Sequence, residues 1–175
     1  MNQAMTDDCL IRPARADDAS DIADIYRPIV METAISFETE PPCPQEMANR
    51  IETCSRTHPY LVAIRNNIIA GYAYGSFFRP RPAYAKSAEV TVYVSQAERG
   101  KGIARLLYGQ LLSRLGDHGF HTALAAIALP NEPSIRLHET VGFKKAGIFH
   151  EVGYKFGQWH DVGWWQKPLA TEKTQ

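Results

Sequence analysis

The chain has no excess of charge of either sign. Its 175 residues carry 19 Lys and Arg against 19 Asp and Glu. Nothing in that balance argues for nucleic acid or an anionic membrane as a partner. Cysteine is scarce: Cys9, Cys43 and Cys54 are odd in number and show no C-x-x-C spacing. They suggest incidental thiols in a reducing, cytoplasmic setting rather than a disulfide framework. A metal site is not expected, because His150, His160 and Asp161 follow no zinc spacing. No apolar run is long enough to span a bilayer. Met1 to Asp8 is polar and acidic, unlike a secretory leader. Internal repeats, low-complexity tracts and linkers are missing too. The length suits one domain over residues 1–175, with an ordered core from about residue 8 to 169.

One segment carries most of the information. Val90, Val92 and Val94 alternate with Glu89, Thr91 and Tyr93, the period of a strand. Leu107, Leu111 and Leu115 follow at helical spacing. Between them lies a turn with Arg99, Gly100, Lys101 and Gly102. Such a turn offers backbone N–H groups at the positive end of a helix, plus two basic side chains. That combination suits a phosphate-bearing ligand. A Walker A loop fails twice, with Ser95 at its first glycine position and Gly102 after Lys101. A Rossmann fingerprint fails at Arg105, which stands where its third glycine belongs. The plainer alternative is an ordinary strand-to-helix connection with a solvated Arg-Lys pair.

A second motif spans Asn131 to Phe143. Asn131 is placed to cap a helix, Pro133 sits in its first turn and Gly142 at its end.

Together these motifs resemble the GNAT superfamily. Arg99, Gly102 and Ala104 match its pyrophosphate loop, [QR]-x-x-G-x-[GA]. The chain is similar to the phosphinothricin and methionine sulfoximine N-acetyltransferase branch in particular. The supporting segments are Ile11 to Ala14, Ile35 to Pro41, Tyr60 to Ala63, Ala88 to Ser95, Ser134 to Glu139 and Lys155 to Gly163. The last is the strongest branch marker. The resemblance implies acetyl-CoA as donor, a small anionic amino acid or analogue as acceptor, and a homodimer. Herbicide resistance by acetylation is the role that the branch suggests. A polyamine or protein N-terminus as acceptor, and a non-catalytic acyl-CoA-binding regulator, are the rival readings. The basic Arg79 and Arg81 argue against a polyamine.

Periodicity and breakers predict the elements. Strands are expected over Cys9 to Pro13, Tyr60 to Arg65, Ile68 to Phe78 and Ala88 to Ser95. Further strands are expected over Thr122 to Leu129, Lys144 to Phe156 and Trp159 to Lys167. Helices are expected after Asp17 or Asp18, and over Pro44 to Thr57, Lys101 to His118 and Asn131 to Val141. Pro28 should kink or end the first helix. Asn66-Asn67 should form a tight turn, and the last hairpin should turn near Gly157-Gln158. Thr122 to Leu129 reads as buried on both faces. The fold class is α/β (α+β): a mixed, mostly antiparallel sheet of six to seven strands flanked by about four helices. This is also the GNAT order.

Acetyl transfer from a thioester needs a neutral amine, a donor for the oxyanion, and a proton or donor for a thiolate of pKa about 8.5. Glu89, Thr91 and Tyr93 share a strand face. Glu89 is the candidate base, and by resemblance it holds the base position of the branch; a solvated Glu paired to Lys86 is the alternative. His138 lies on the same helix face as Asn131 and Ser134. It stands where most of the superfamily has Tyr, so the acid for the thiolate stays open between His138, Tyr93 and water. By resemblance, Gly100, Lys101, Gly102, Ile103, Ala104 and Arg105 hold the pyrophosphate. Asn131 and Ser134 lie by the pantetheine arm, which would pair with the backbone of Val92, Tyr93 and Val94. Arg79, Pro80, Arg81 and Tyr84 form a stiffened basic loop suited to anionic oxygens. With Phe37, Glu38, Val90 and Thr91 they are the candidate acceptor contacts. Trp159, Trp164 and Trp165 read as core or interface. Cys54 with His58 reads as a helix face and edge, not as a nucleophile and base.

Overall fold

The computed structural model describes residues 9–169. The polar stretch Met1 to Asp8 and the tail expected at Thr171 to Gln175 lie outside the described residues. In chain order the elements are β1 (Leu10–Pro13), α1 (Ala19–Glu32), α2 (Pro44–Ser55), β2 (Tyr60–Arg65), β3 (Ile68–Phe77) and β4 (Ser87–Val94). Then come α3 (Ile103–Asp117), β5 (Thr122–Ala128), α4 (Glu132–Thr140), β6 (Lys144–Lys155) and β7 (Gln158–Pro168). The strands make one seven-stranded sheet in the order β1-β2-β3-β4-β5-β7-β6. Every pairing is antiparallel except β4 with β5.

Each sheet face buries a different helix set. On one side α3 sinks Leu107, Leu111 and Leu115 against Ala73, Ala88, Val90 and Ala123. On the other, Ile22 and Ile29 of α1 and Met47 and Ile51 of α2 pack on Val62 and Tyr72. Each such aliphatic side chain, fully buried, contributes about 1.5–3 kcal/mol. Turn chemistry fixes the hairpins. Asn66 and Asn67 both take positive φ (52° and 61°), as do Phe156 and Gly157 (54° and 77°). Paired positive φ values match the twist of the flanking strands. The closing turn thus sits one residue earlier than expected.

Three expectations need correction. Helix α1 runs unbroken through Pro28. The backbone partner that Pro28 cannot serve belongs to Asp24, on the part of the helix whose side chains are exposed. Burial of Ile25, Tyr26, Ile29 and Val30 holds the helix together on both sides of the proline. Asp18 does not cap α1 with its side chain. Its carboxylate instead accepts from the Arg15 N–H and from both terminal nitrogens of Arg12, each at 2.7 Å. Finally, β5 is buried on one face only: Ala123, Ala125 and Ile127 are buried while Ala126 is exposed. Its second face borders an opening in the sheet.

That opening is the main departure from a regular sheet. β4 pairs with β5 only through Ser87, Ala88 and Glu89, opposite Thr122, Ala123 and Leu124. Yet β3 stays with β4 as far as Val94, and β7 stays with β5 as far as Ala128. Beyond Glu89 the two strands diverge and a wedge opens between them.

Candidate active site

A cleft of about 520 Å³ occupies this wedge. Strand alternation puts Glu89, Thr91 and Tyr93 on its wall. Arg79 enters from the β3–β4 loop, and Asn131, Ser134 and His138 from α4. Ile35, Ser36 and Phe37 close it from the α1–α2 segment. Val90 and Val92 also touch it.

Glu89 sits where the paired part of β4 ends. Burial raises its pKa, and the Arg79 guanidinium pulls it partly back. A carboxylate so placed takes a proton more readily than one in water. Tyr93 packs against Tyr26 with ring centroids 5.1 Å apart. Burial pushes its phenol well above the ordinary range, so it remains an O–H donor near neutral pH.

Helix α4 is capped as its sequence predicts: the Asn131 side chain accepts from the Ser134 N–H at 3.3 Å. One turn on, His138 is buried, 4% exposed. Its Nδ1 lies 2.7 Å from the Ser134 carbonyl oxygen, and its Nε2 lies 2.9 Å from the Tyr108 hydroxyl. Burial depresses the imidazole pKa. His138 is therefore no surface residue; it is a packed group on the cleft wall.

The β4–α3 turn is built on glycine. Gly100 and Gly102 adopt φ of 76° and 81°, a region that other L-residues enter only at a cost. A Cβ at either would meet nothing within 4 Å, so backbone conformation, not crowding, selects glycine here. Gly102 is the N-cap of α3, and buried Ile103 anchors the first turn. The unpaired N–H groups at that helix start form an anion-binding end. Lys101 and Arg65 share the carboxylate of Glu98, at 3.1 and 2.9 Å. The residues from Gly100 to Arg105, with Val94, lie outside the cleft lining, at the far end of the strand that carries Tyr93.

The basic loop is only partly recruited. Arg79 lines the cleft. Pro80 and Arg81 are exposed, and Tyr84 packs edge-on to Phe78 at 5.5 Å. Glu38 turns away from the cleft to pair with both terminal nitrogens of Arg50, at 2.7 and 3.1 Å.

Other residues join the wall without having been expected there. Trp164 lines the cleft, with Phe149 and Val152 of β6 and Tyr108 of α3. For Trp164 the signal was in the sequence. Trp164 and Trp165 are adjacent on a strand and must face opposite sides; Trp165 is the core residue, 2% exposed. Cys54, by contrast, donates its thiol to the Gly75 carbonyl oxygen at 3.0 Å, and burial raises its pKa to about 11. A thiol in that state is no nucleophile at neutral pH.

A family model described as an acetyltransferase (GNAT) domain matches residues 11–164. The chain belongs to the GNAT acetyltransferase family. This GNAT domain is 41% identical over 157 residues to a phosphinothricin N-acetyltransferase of Streptomyces viridochromogenes, covering 90% of this chain and 86% of that one. It is 37% identical over 165 residues to an L-methionine sulfoximine/L-methionine sulfone acetyltransferase of Pseudomonas aeruginosa, covering 91% and 94%. Among solved structures it is similar to a phosphinothricin acetyltransferase of Sinorhizobium meliloti in complex with acetyl-CoA. The TM-score there is 0.90, with 36% identity over 95% of this chain and 92% of that one. The protein is an acetyl-CoA-dependent N-acetyltransferase, with the mixed seven-stranded sheet of its family.

Proposed function

We propose that this GNAT enzyme acetylates the α-amino group of a small anionic amino acid or analogue, of the phosphinothricin, methionine sulfoximine and methionine sulfone class. The observation that carries this reading is the pairing of Glu89 and Arg79 in one cleft at the sheet wedge. A carboxylate with a raised pKa suits a departing ammonium proton, and a guanidinium suits the acceptor's anionic oxygens. The names of the curated relatives support the same acceptor class.

The chemistry needs no covalent enzyme intermediate. With both substrates bound, Glu89 relays a proton from the ammonium, leaving the amine lone pair free. The amine attacks the thioester carbonyl and the new C–N bond forms; as the tetrahedral intermediate collapses the C–S bond breaks, the amide nitrogen sheds its extra proton, and the departing thiolate takes up one proton to leave as free coenzyme A. Proximity in one cleft supplies much of the rate. Tyr93 is the donor closest in role to the developing charge, and His138 orients the wall beside it. The glycine turn from Gly100 to Arg105 holds the diphosphate of acetyl-CoA at the start of α3. The free edge of Val92 to Val94 takes the pantetheine arm as an added strand, with Asn131 and Ser134 alongside. Arg81 and Tyr84 belong to the loop that presents Arg79.

The working form in this reading is a cytoplasmic homodimer that confers herbicide resistance by acetylation. What supports a dimer is the apolar surface of β6 and β7, where Phe149, Val152, Tyr154, Phe156 and Trp159 are each more than half exposed. The deciding experiment is a thiol-release assay with acetyl-CoA over α-amino acids, their sulfone and sulfoximine analogues, phosphinothricin, polyamines and peptide N-termini. Turnover confined to the anionic amino acid analogues supports the proposal. Turnover only with polyamines or peptides, or coenzyme binding without turnover, overturns it.

A further inference from the structure

The segment from Lys155 to Gly163 stays outside the chemistry above, yet it borders the acceptor side of the cleft: Val162 lines it, the His160 ring lies 6.0 Å from that of Phe37, and Lys155 holds the chain that leads to Phe37. The Lys155 ammonium is buried, 5% exposed. It donates to the carbonyl oxygens of Val30 and Ser36, each at 2.7 Å. Those two acceptors bracket the chain between the last turn of α1 and Phe37. The ammonium also lies 5.0 Å from the centroid of the Phe156 ring. Two carbonyls and an aromatic face replace the water that a buried lysine gives up.

The neighbours of Lys155 in this segment brace it. His160 Nε2 lies 3.0 Å from the Lys155 carbonyl oxygen, so it donates there. Asp161 accepts the Glu151 N–H at 2.8 Å, which holds the irregular stretch of β6 where Glu151 takes φ of 49°. Beside that stretch is Gly153. Its φ is not left-handed, so backbone conformation does not call for glycine. Space does: a Cβ there would overlap the Phe37 ring. The Phe37 ring therefore lies directly against the backbone of β6 at Gly153.

We propose that Lys155 and Gly153 are positioning residues for the acceptor site. Lys155 ties the segment carrying Ser36 and Phe37 to β6, and Gly153 provides the seat that sets where the Phe37 ring closes the cleft. The chemistry of transfer sits on β4 and α4; the shape of the acceptor pocket is set from β6. This rests on the reading that Phe37 faces the acceptor.

Steady-state kinetics with both substrates varied tests it. Lys155→Met removes the tie, and Gly153→Ala displaces the ring without demanding a new backbone shape. Each should raise the acceptor KM about tenfold while the acetyl-CoA KM stays within about twofold. In a Phe37→Ala background, Gly153→Ala should add no further change, because the ring it displaces is gone. Equal rises in both KM values, or a Gly153→Ala effect that persists without Phe37, overturns the proposal. If Lys155→Met does not fold, the Gly153 and Phe37 cycle decides alone. Failure of the wild-type enzyme to acetylate any amino acid analogue would instead strike the functional reading.

Discussion

Nε2 of His138 accepts a hydrogen bond from the Tyr108 hydroxyl across 2.9 Å. The direction follows from the other nitrogen. Nδ1 faces the Ser134 carbonyl oxygen at 2.7 Å, and a carbonyl only accepts, so Nδ1 carries the proton. In a neutral imidazole Nε2 is then the acceptor. The wall of the cleft thus holds a neutral histidine and a phenol whose proton is already engaged.

Neutral His138 has a consequence for stability. Its folded pKa lies below the unfolded value of about 6.5. Between those two values the unfolded chain binds more protons, so stability falls as pH drops from 6.5 through the folded pKa and is complete above 6.5. Thermal melts of wild type and His138→Gln across pH 5 to 8 should show it. Wild type should lose Tm on acidification more steeply than the variant over that window.

Glu89→Gln should lower kcat by about a hundredfold or more while leaving acetyl-CoA binding within a few-fold. Turnover equal to wild type would remove Glu89 from the mechanism.

Arg79 lowers the Glu89 pKa against the burial that raises it. Arg79→Ala should therefore move the acidic limb of the kcat/KM profile to higher pH, since the base must lose its proton to act. The same variant should raise the acceptor KM. A limb that stays in place would separate Arg79 from Glu89.

Gly102→Ala should cost about 1 kcal/mol or more of stability, because alanine must enter the left-handed region. It should also weaken acetyl-CoA binding by distorting the N–H groups at the start of α3. Isothermal titration with coenzyme A and a denaturant melt measure the two effects separately.

Alkylation at neutral pH separates the thiols. Cys43 is exposed and should be modified by iodoacetamide, whereas Cys54, with its pKa near 11, should be spared until the protein unfolds. Peptide mass spectrometry reads the outcome directly.

Much of this fold was legible because strand and helix periods are local. Val90, Val92 and Val94 announce a strand, and Leu107, Leu111 and Leu115 a helix face, whatever surrounds them. The glycine turn was legible for the same reason. What escaped was set by distant partners. Pro28 fails to break α1 because its buried neighbours outweigh one lost hydrogen bond. Thr122 to Leu129 is apolar enough for two buried faces, yet the divergence of β4 leaves one of them open. Asp17 or Asp18 was expected at the start of α1; Asp18 does stand there, but its side chain's partner, Arg12, lies on a strand. Tyr108 reads as one more core residue of α3 until His138, thirty residues later, is placed against it.

The parting of β4 from β5 leaves the sheet as two leaves, four strands and three, stitched along only one short parallel seam. An acyl-coenzyme arm laid in the gap would span both leaves, so catalysis and cohesion would share the same linkage. Amide exchange along residues 90–94 would then slow when the donor binds, and the enzyme would be at its most pliable when empty-handed.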